Sequence, residues 1–202
     1  MKNKNRIKVH LSIPSAVFIA LMIACDRSGS ALITLAAAVL HELGHISAAA
    51  LCGVAIDSLT LYPFGADIGL VPSLRSYGKD IIIASAGAAA NFIAALASLF
   101  VGGGEEVSFF IVCNLTLAGI NLLPVKSLDG GELLHCMICR LSGLEAAEKI
   151  IMITSFFSVF AMWLGSVYIF FVADGSPSLF IIAVFLFSTV FLPRGHREKN
   201  ED

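Results

Sequence analysis

Charge is what this chain has least of. Only 14% of its 202 residues are Asp, Glu, Lys or Arg, against 57% hydrophobic, and the mean hydropathy is +0.89. That excludes an ordinary soluble domain, in which about a quarter of the residues are charged. The 13 basic residues are nearly balanced by 15 acidic ones. Charge sits almost entirely in the gaps between apolar runs, and no nucleic-acid footprint is visible, so a nucleic-acid partner is not expected. Cysteine is sparse and odd in number, five in all, mostly inside apolar stretches, which argues against a disulfide framework. Internal repeats and low-complexity segments are missing. After the last apolar run only residues 193–202 remain, which leaves no room for an appended soluble domain.

What the chain does have is long apolar runs, at about 9–25, 30–53, 80–101, 107–124, 149–173 and 177–192. Roughly 20 apolar residues suffice to cross a bilayer as a helix. The runs predict an all-α polytopic membrane protein with about six transmembrane helices, the first and last being the shortest. The N-terminal run follows a basic stretch, as a signal peptide would. However, Ala24-Cys25-Asp26 offers no small-x-small cleavage site, so this run is read as a retained helix. With the N-terminus in the cytoplasm, every basic residue except Arg27 falls on the inner side, as the positive-inside rule expects. The reading is of one transmembrane domain over 1–202, with 1–8 and 193–202 as cytoplasmic ends.

Apart from Cys52, the run from Ser30 to Gly53 contains three ionisable side chains, His41, Glu42 and His45. Each costs on the order of 3 kcal/mol inside a membrane helix, so together they mark a functional site. His41-Glu42-Leu43-Gly44-His45 is an H-E-x-x-H pattern. On a helix its two histidines share one face and can ligate one zinc ion, with the glutamate beside it as a proton acceptor. Haem ligation or a proton path would use the same pair, and a metal or proton transporter is the alternative of a different class. A catalytic zinc usually takes a third protein ligand. His10 and His196 lie near the chain ends and His135 on a short interfacial segment, all poor positions. Asp129, in Asn121-Leu122-Leu123-Pro124-Val125-Lys126-Ser127-Leu128-Asp129-Gly130-Gly131, is the better candidate. Pro124 ends or bends the preceding helix, and Asp129-Gly130-Gly131 reads as a turn. An ordinary helix N-cap is the other reading of Asp129. Cys136-x-x-Cys139 beside His135 has no second pair and is read as structural.

VLHELGH together with NLLPVKSLDGG resembles the site-2 protease (M50) family of intramembrane zinc metalloproteases, over a region from Val9 to about Leu192. Within the family the likeness is to the bacterial sporulation branch that processes a membrane-tethered pro-sigma factor, without the nucleotide-sensing CBS domain that branch carries after its last helix. Leu61-Tyr62-Pro63-Phe64-Gly65 resembles the family's LPFGG segment, and Ser85-Ala86-Gly87-Ala88-Ala89-Ala90-Asn91 its AGPxxN segment. The resemblance implies one zinc ion per chain held by His41, His45 and Asp129, with Glu42 as general base and acid. It implies substrate contacts at Asn121, Pro124, Phe64 and Gly65, and a membrane-associated hairpin or loop over Leu59–Val71 where an extended peptide adds a strand. It further implies a multi-pass protein of the bacterial cell membrane acting on membrane-tethered proteins, with room for a regulatory partner in the membrane. The chain departs from the family pattern at Ala88 and Ser127, where proline is usual, and at Asp67, where a small residue is.

Asn91 reads equally as a support for the site and as a helix-packing residue, whereas Asn114 and Thr116 read as packing. Glu105-Glu106 reads as an external loop. Helical rise puts His41 roughly 15 to 18 Å below the cytoplasmic surface, so water needs a path, for which Ser85, Asn91, Asn121 and Ser127 are candidate linings.

Overall fold

The computed structural model describes residues 8–62, 65–71, 74–172 and 178–191, in two compact units, Met1–Leu122 and Leu123–Asp202. In the first unit the elements run β1 (Lys8–Leu11), α1 (Ile13–Cys25), α2 (Ser30–Leu51), β2 (Ile56–Tyr62), β3 (Gly65–Leu70), α3 (Tyr77–Val101) and α4 (Glu105–Asn121).

The first apolar run is not helical throughout. Val9, His10 and Leu11 pair in parallel with Leu59, Thr60 and Leu61 of β2, and the helix begins only at Ile13. The cause is local: the Ser12 hydroxyl accepts the Ser15 amide and Pro14 lies in the first turn, a start signal that an apolar window does not register. The 13 residues of α1 span about 20 Å. β2 also pairs antiparallel with β3, from Ile56 opposite Leu70 to Tyr62 opposite Gly65, with an irregularity between Ile56 and Ser58. β2 is central, with β1 and β3 at the edges, and the β2–β3 pair lies in the stretch where the resemblance implies a hairpin or loop. Ser15 ties α1 to the sheet by donating to the Leu61 carbonyl at 2.8 Å.

Helices α2, α3 and α4 pack on one another through small residues, with Ala37, Ala49, Ala88, Ala95 and Ala118 all buried. Gly44 shows how closely. A Cβ there would stand 2.5 Å from the Ala86 carbonyl oxygen and 2.9 Å from the Ala90 methyl, so α2 and α3 meet at a distance only glycine permits. Ahead of α2, the Asp26 carboxylate accepts the Ala31 and Ser28 amides and the Ser28 hydroxyl, holding its pKa down from the usual carboxylate value to about 2.

The second unit holds α5 (Asp129–Ser142), α6 (Leu144–Val172) and α7 (Ser178–Phe191). Val125, Val159 and Leu186 form its buried cluster. The segment before α5 is fixed by the Lys126 amide donating to the buried Ser155 hydroxyl at 2.9 Å, and by close approach of α5 at Gly131, where a Cβ would meet the Val125 carbonyl.

Among the described residues, three helices are long and apolar enough to cross a membrane: Ser30–Leu51, Tyr77–Val101 and Leu144–Phe171. The remaining apolar runs correspond to α1, α4 and α7, of 13, 17 and 14 residues. α4 stops at Asn121, three residues before Pro124, because a proline disfavours helical conformation in the residue ahead of it and supplies no amide of its own.

Candidate metal centre

His41 and His45 lie near the middle of α2, 5% and 7% exposed, where an unsatisfied ring nitrogen would be costly. α3 meets both needs. His41 Nδ1 lies 2.6 Å from the Asn91 side-chain oxygen, and His45 Nδ1 lies 2.7 Å from the Ile83 carbonyl oxygen. A carbonyl oxygen only accepts, so both Nδ1 atoms carry the proton and donate it. The Asn91 amide is oriented without ambiguity, because its nitrogen donates to the Ala37 carbonyl at 3.0 Å and to the Asn114 side-chain oxygen at 2.7 Å.

With the protons fixed on Nδ1, each neutral ring presents a lone pair at Nε2. The two Nε2 atoms face each other at 3.2 Å, with the rings edge to face at 81°. Two acceptors at that distance repel unless a cation lies between them. Tetrahedral coordination with zinc-to-nitrogen bonds near 2.0–2.1 Å places two nitrogens about 3.3 Å apart. The pair is therefore arranged as zinc ligands are. Gly87 keeps the adjoining space open: a Cβ there would run into His45 Nε2 and stand 2.7 Å from Cε1 of both rings.

Glu42 follows His41 on α2 and is half-buried. Asp129, in the second unit, is the first residue of α5 and also half-buried. The residue at the N-cap is Leu128, without a side-chain cap, so the ordinary N-cap reading of Asp129 is not what the helix shows. A carboxylate in the first turn is favoured by the helix dipole. Two neutral imidazoles and a carboxylate are a donor set of hydrolytic zinc sites. His41 and His45 supply the two imidazoles of such a set, and Asp129 is the carboxylate that the sequence resemblance pairs with them.

Other expectations fare differently. Asn91 is fully buried and hydrogen-bonded, so it supports His41 and does not line a water path. Asn114, expected to pack, is instead a member of this polar network. Ser85 donates to the Ile82 carbonyl of its own helix. Asn121 closes α4, its amide donating to the Leu117 carbonyl at 3.1 Å, and Pro124 is half-buried in the following segment. Gly65 begins β3, while Phe64 lies outside the described residues. Glu105 and Glu106 form the first turn of α4 rather than a loop. Gly87, which the sequence presents only within the family-like segment, and Asn114, which it presents as packing, are further contributors to the His pair. Their signal was a glycine and an amide in the middle of apolar helices, which costs stability unless something nearby requires it.

The model of peptidase family M50 matches residues 30–106 and 104–164. The chain belongs to peptidase family M50. This M50 chain is 27% identical over 191 residues to the stage IV sporulation protein FB of Bacillus subtilis, covering 92% of the chain and 65% of that protein. It is 30% identical over 120 residues to a zinc metalloprotease of Methanocaldococcus jannaschii, covering 55% of the chain and 35% of that protein. It shares its fold with the site-2 protease of the same archaeon, at a TM-score of 0.66 and 23% identity, over 93% of this chain and 90% of that one. The M50 chain spans about a third of the length of the first zinc metalloproteases it matches. With its apolar helices, this family member is a membrane protein.

Proposed function

We propose that the chain is an intramembrane zinc endopeptidase of the site-2 type, hydrolysing a peptide bond in or near the transmembrane segment of a membrane-tethered protein. The observation that carries this reading is the buried imidazole pair, with each Nδ1 held by an acceptor on α3 and the two Nε2 atoms 3.2 Å apart. His41, His45 and Asp129 are the residues that hold the ion. When bound, zinc supplies Lewis acidity that makes water a nucleophile near neutral pH. Glu42 takes the proton of the attacking water and returns it to the departing amine, as a general base and then a general acid. The Ile83 carbonyl and the Asn91 amide on α3 keep the histidines aimed while this proton moves.

The substrate must be extended to expose its scissile carbonyl, because helical carbonyls are engaged in the helix's own hydrogen bonds. Among the described residues β3 is an edge strand, the position that β-strand addition requires. Phe64 and Gly65, with Asn121 and Pro124 ahead of Asp129 in the sequence, are the substrate contacts in this reading. The six apolar runs serve as membrane spans with both termini in the cytoplasm of a bacterial cell, in accordance with the distribution of basic residues. A membrane-tethered pro-sigma factor is the first substrate to try, given the similarity to the sporulation protein. Family membership favours hydrolysis over the transporter reading.

The test is co-reconstitution with a tethered pro-sigma factor and with other single-span proteins. Glu42→Gln is expected to lower cleavage by about 100-fold or more while zinc stays bound. Undiminished cleavage in that variant removes Glu42 from the mechanism, and ion transport without cleavage by the native protein would replace the protease reading.

A further inference from the structure

The polar network behind His41 extends past its immediate partner. Asn91 on α3 and Asn114 on α4 are both 0% exposed, in a part of the fold otherwise packed with alanine. Their hydrogen bonds form a directed chain. The Asn114 side-chain nitrogen donates to the Phe110 carbonyl of its own helix at 2.8 Å, so the Asn114 oxygen is turned toward α3. That oxygen accepts from the Asn91 nitrogen at 2.7 Å, which turns the Asn91 oxygen toward α2. The Asn91 oxygen in turn accepts from His41 Nδ1 at 2.6 Å, leaving the lone pair of His41 on Nε2.

A backbone carbonyl cannot donate, so the polarity of the chain is fixed at its far end and passed from amide to amide. Without Asn114, the flipped Asn91 amide would be opposed only by the Ala37 carbonyl, 3.0 Å away. In that flipped state the Asn91 nitrogen would face His41 and favour the tautomer with its proton on Nε2, whose Nε2 has no lone pair for a metal. His45 needs no such chain, because the Ile83 carbonyl holds its Nδ1 directly.

We propose that Asn114 is a positioning residue of the metal centre: acting through Asn91, it sets the tautomer of His41 from a helix that carries no ligand. This rests on the reading of His41 as a zinc ligand, yet part of its test needs neither zinc nor proteolysis.

The experiment uses the full chain in lipid nanodiscs as native protein, Asn114→Leu and Asn114→Asp. A neutral aspartic acid can still donate to Phe110 and accept from Asn91. Two quantities are read: the ¹⁵N tautomer signal of His41 in zinc-free protein, assigned by its loss in His41→Gln, and zinc affinity by chelator competition. The native protein is expected to show His41 protonated on Nδ1. In Asn114→Leu the Nε2-protonated share should rise and zinc binding weaken by about 10-fold, the size of effect seen when support behind a metal ligand is lost. Asn114→Asp should stay close to native in both. Native His41 protonated on Nε2 would overturn the proposal even if no variant folds. So would a folded Asn114→Leu with an unchanged tautomer, whatever its zinc affinity, or an Asn114→Asp as impaired as the leucine variant. A native protein that binds no zinc would instead remove the ligand reading, and the tautomer signal would still decide the role of Asn114.

Discussion

Two helices of this chain carry potential metal ligands four residues apart, and only one of them makes a site. On α2, His41 and His45 are each gripped from a neighbouring helix, by Asn91 and by the Ile83 carbonyl, and their Nε2 atoms converge. On α5, His135 and Cys139 have the same spacing, but both ring nitrogens lie 3.7–3.8 Å from the Cys139 sulfur. The Cys136 thiol likewise turns to Glu132 on its own helix, at 3.7 Å. A thiol is a weak donor and a weak acceptor, so it fixes no tautomer. Spacing brings two ligands to one face; acceptors on the next helix decide which atom each presents.

The most severe way to break the contrast is to fill the space α3 leaves for the rings. Gly87→Val should abolish zinc binding and cleavage while helicity by circular dichroism is retained, since its side chain would occupy the place of His45 Nε2. Asn91→Leu should be milder, weakening zinc affinity by about 10- to 100-fold in a chelator titration, the range for losing a partner behind a ligand. On the other helix, replacing Cys136 and Cys139 together by serine should leave zinc per chain unchanged. Its cost should appear only in thermal unfolding, because both thiols are buried.

The smallest effect is expected at Asp26, in the turn ahead of α2. Its pKa is lowered to about 2, first by the Ala31 amide and then by Ser28. A depressed carboxylate stabilises the fold at pH values above its ordinary pKa, and this contribution fades as pH falls from there through about 2. Asp26→Asn should therefore lower the unfolding temperature slightly at neutral pH, and the gap to the native protein should close in strong acid. A gap independent of pH would assign the loop another role.

Much of this was legible from residue types. Hydropathy located the described helices other than α5, and H-E-x-x-H within an apolar run marked the centre, because charged groups there are too costly to be incidental. Legibility failed where the decisive partner is far away in the chain or belongs to the backbone. The strand Lys8–Leu11 runs into the same apolar stretch as the helix after it, and what makes it a strand is β2, some 50 residues on. The orientation of His45 comes from a main-chain carbonyl, which no side-chain pattern encodes. Asn114 appears as one amide in a lipid-length run until α4 is set against α3 and its oxygen meets Asn91.

The most direct test of the central claim is the zinc content of the detergent-purified protein, with native chain and Asp129→Ala prepared side by side. About one zinc per native chain is expected, as a three-ligand site holds, with a clear loss in the variant. Full zinc retention by a folded Asp129→Ala would contradict the assignment of the third ligand. A native protein that stays zinc-free when supplied with the metal would contradict the site itself.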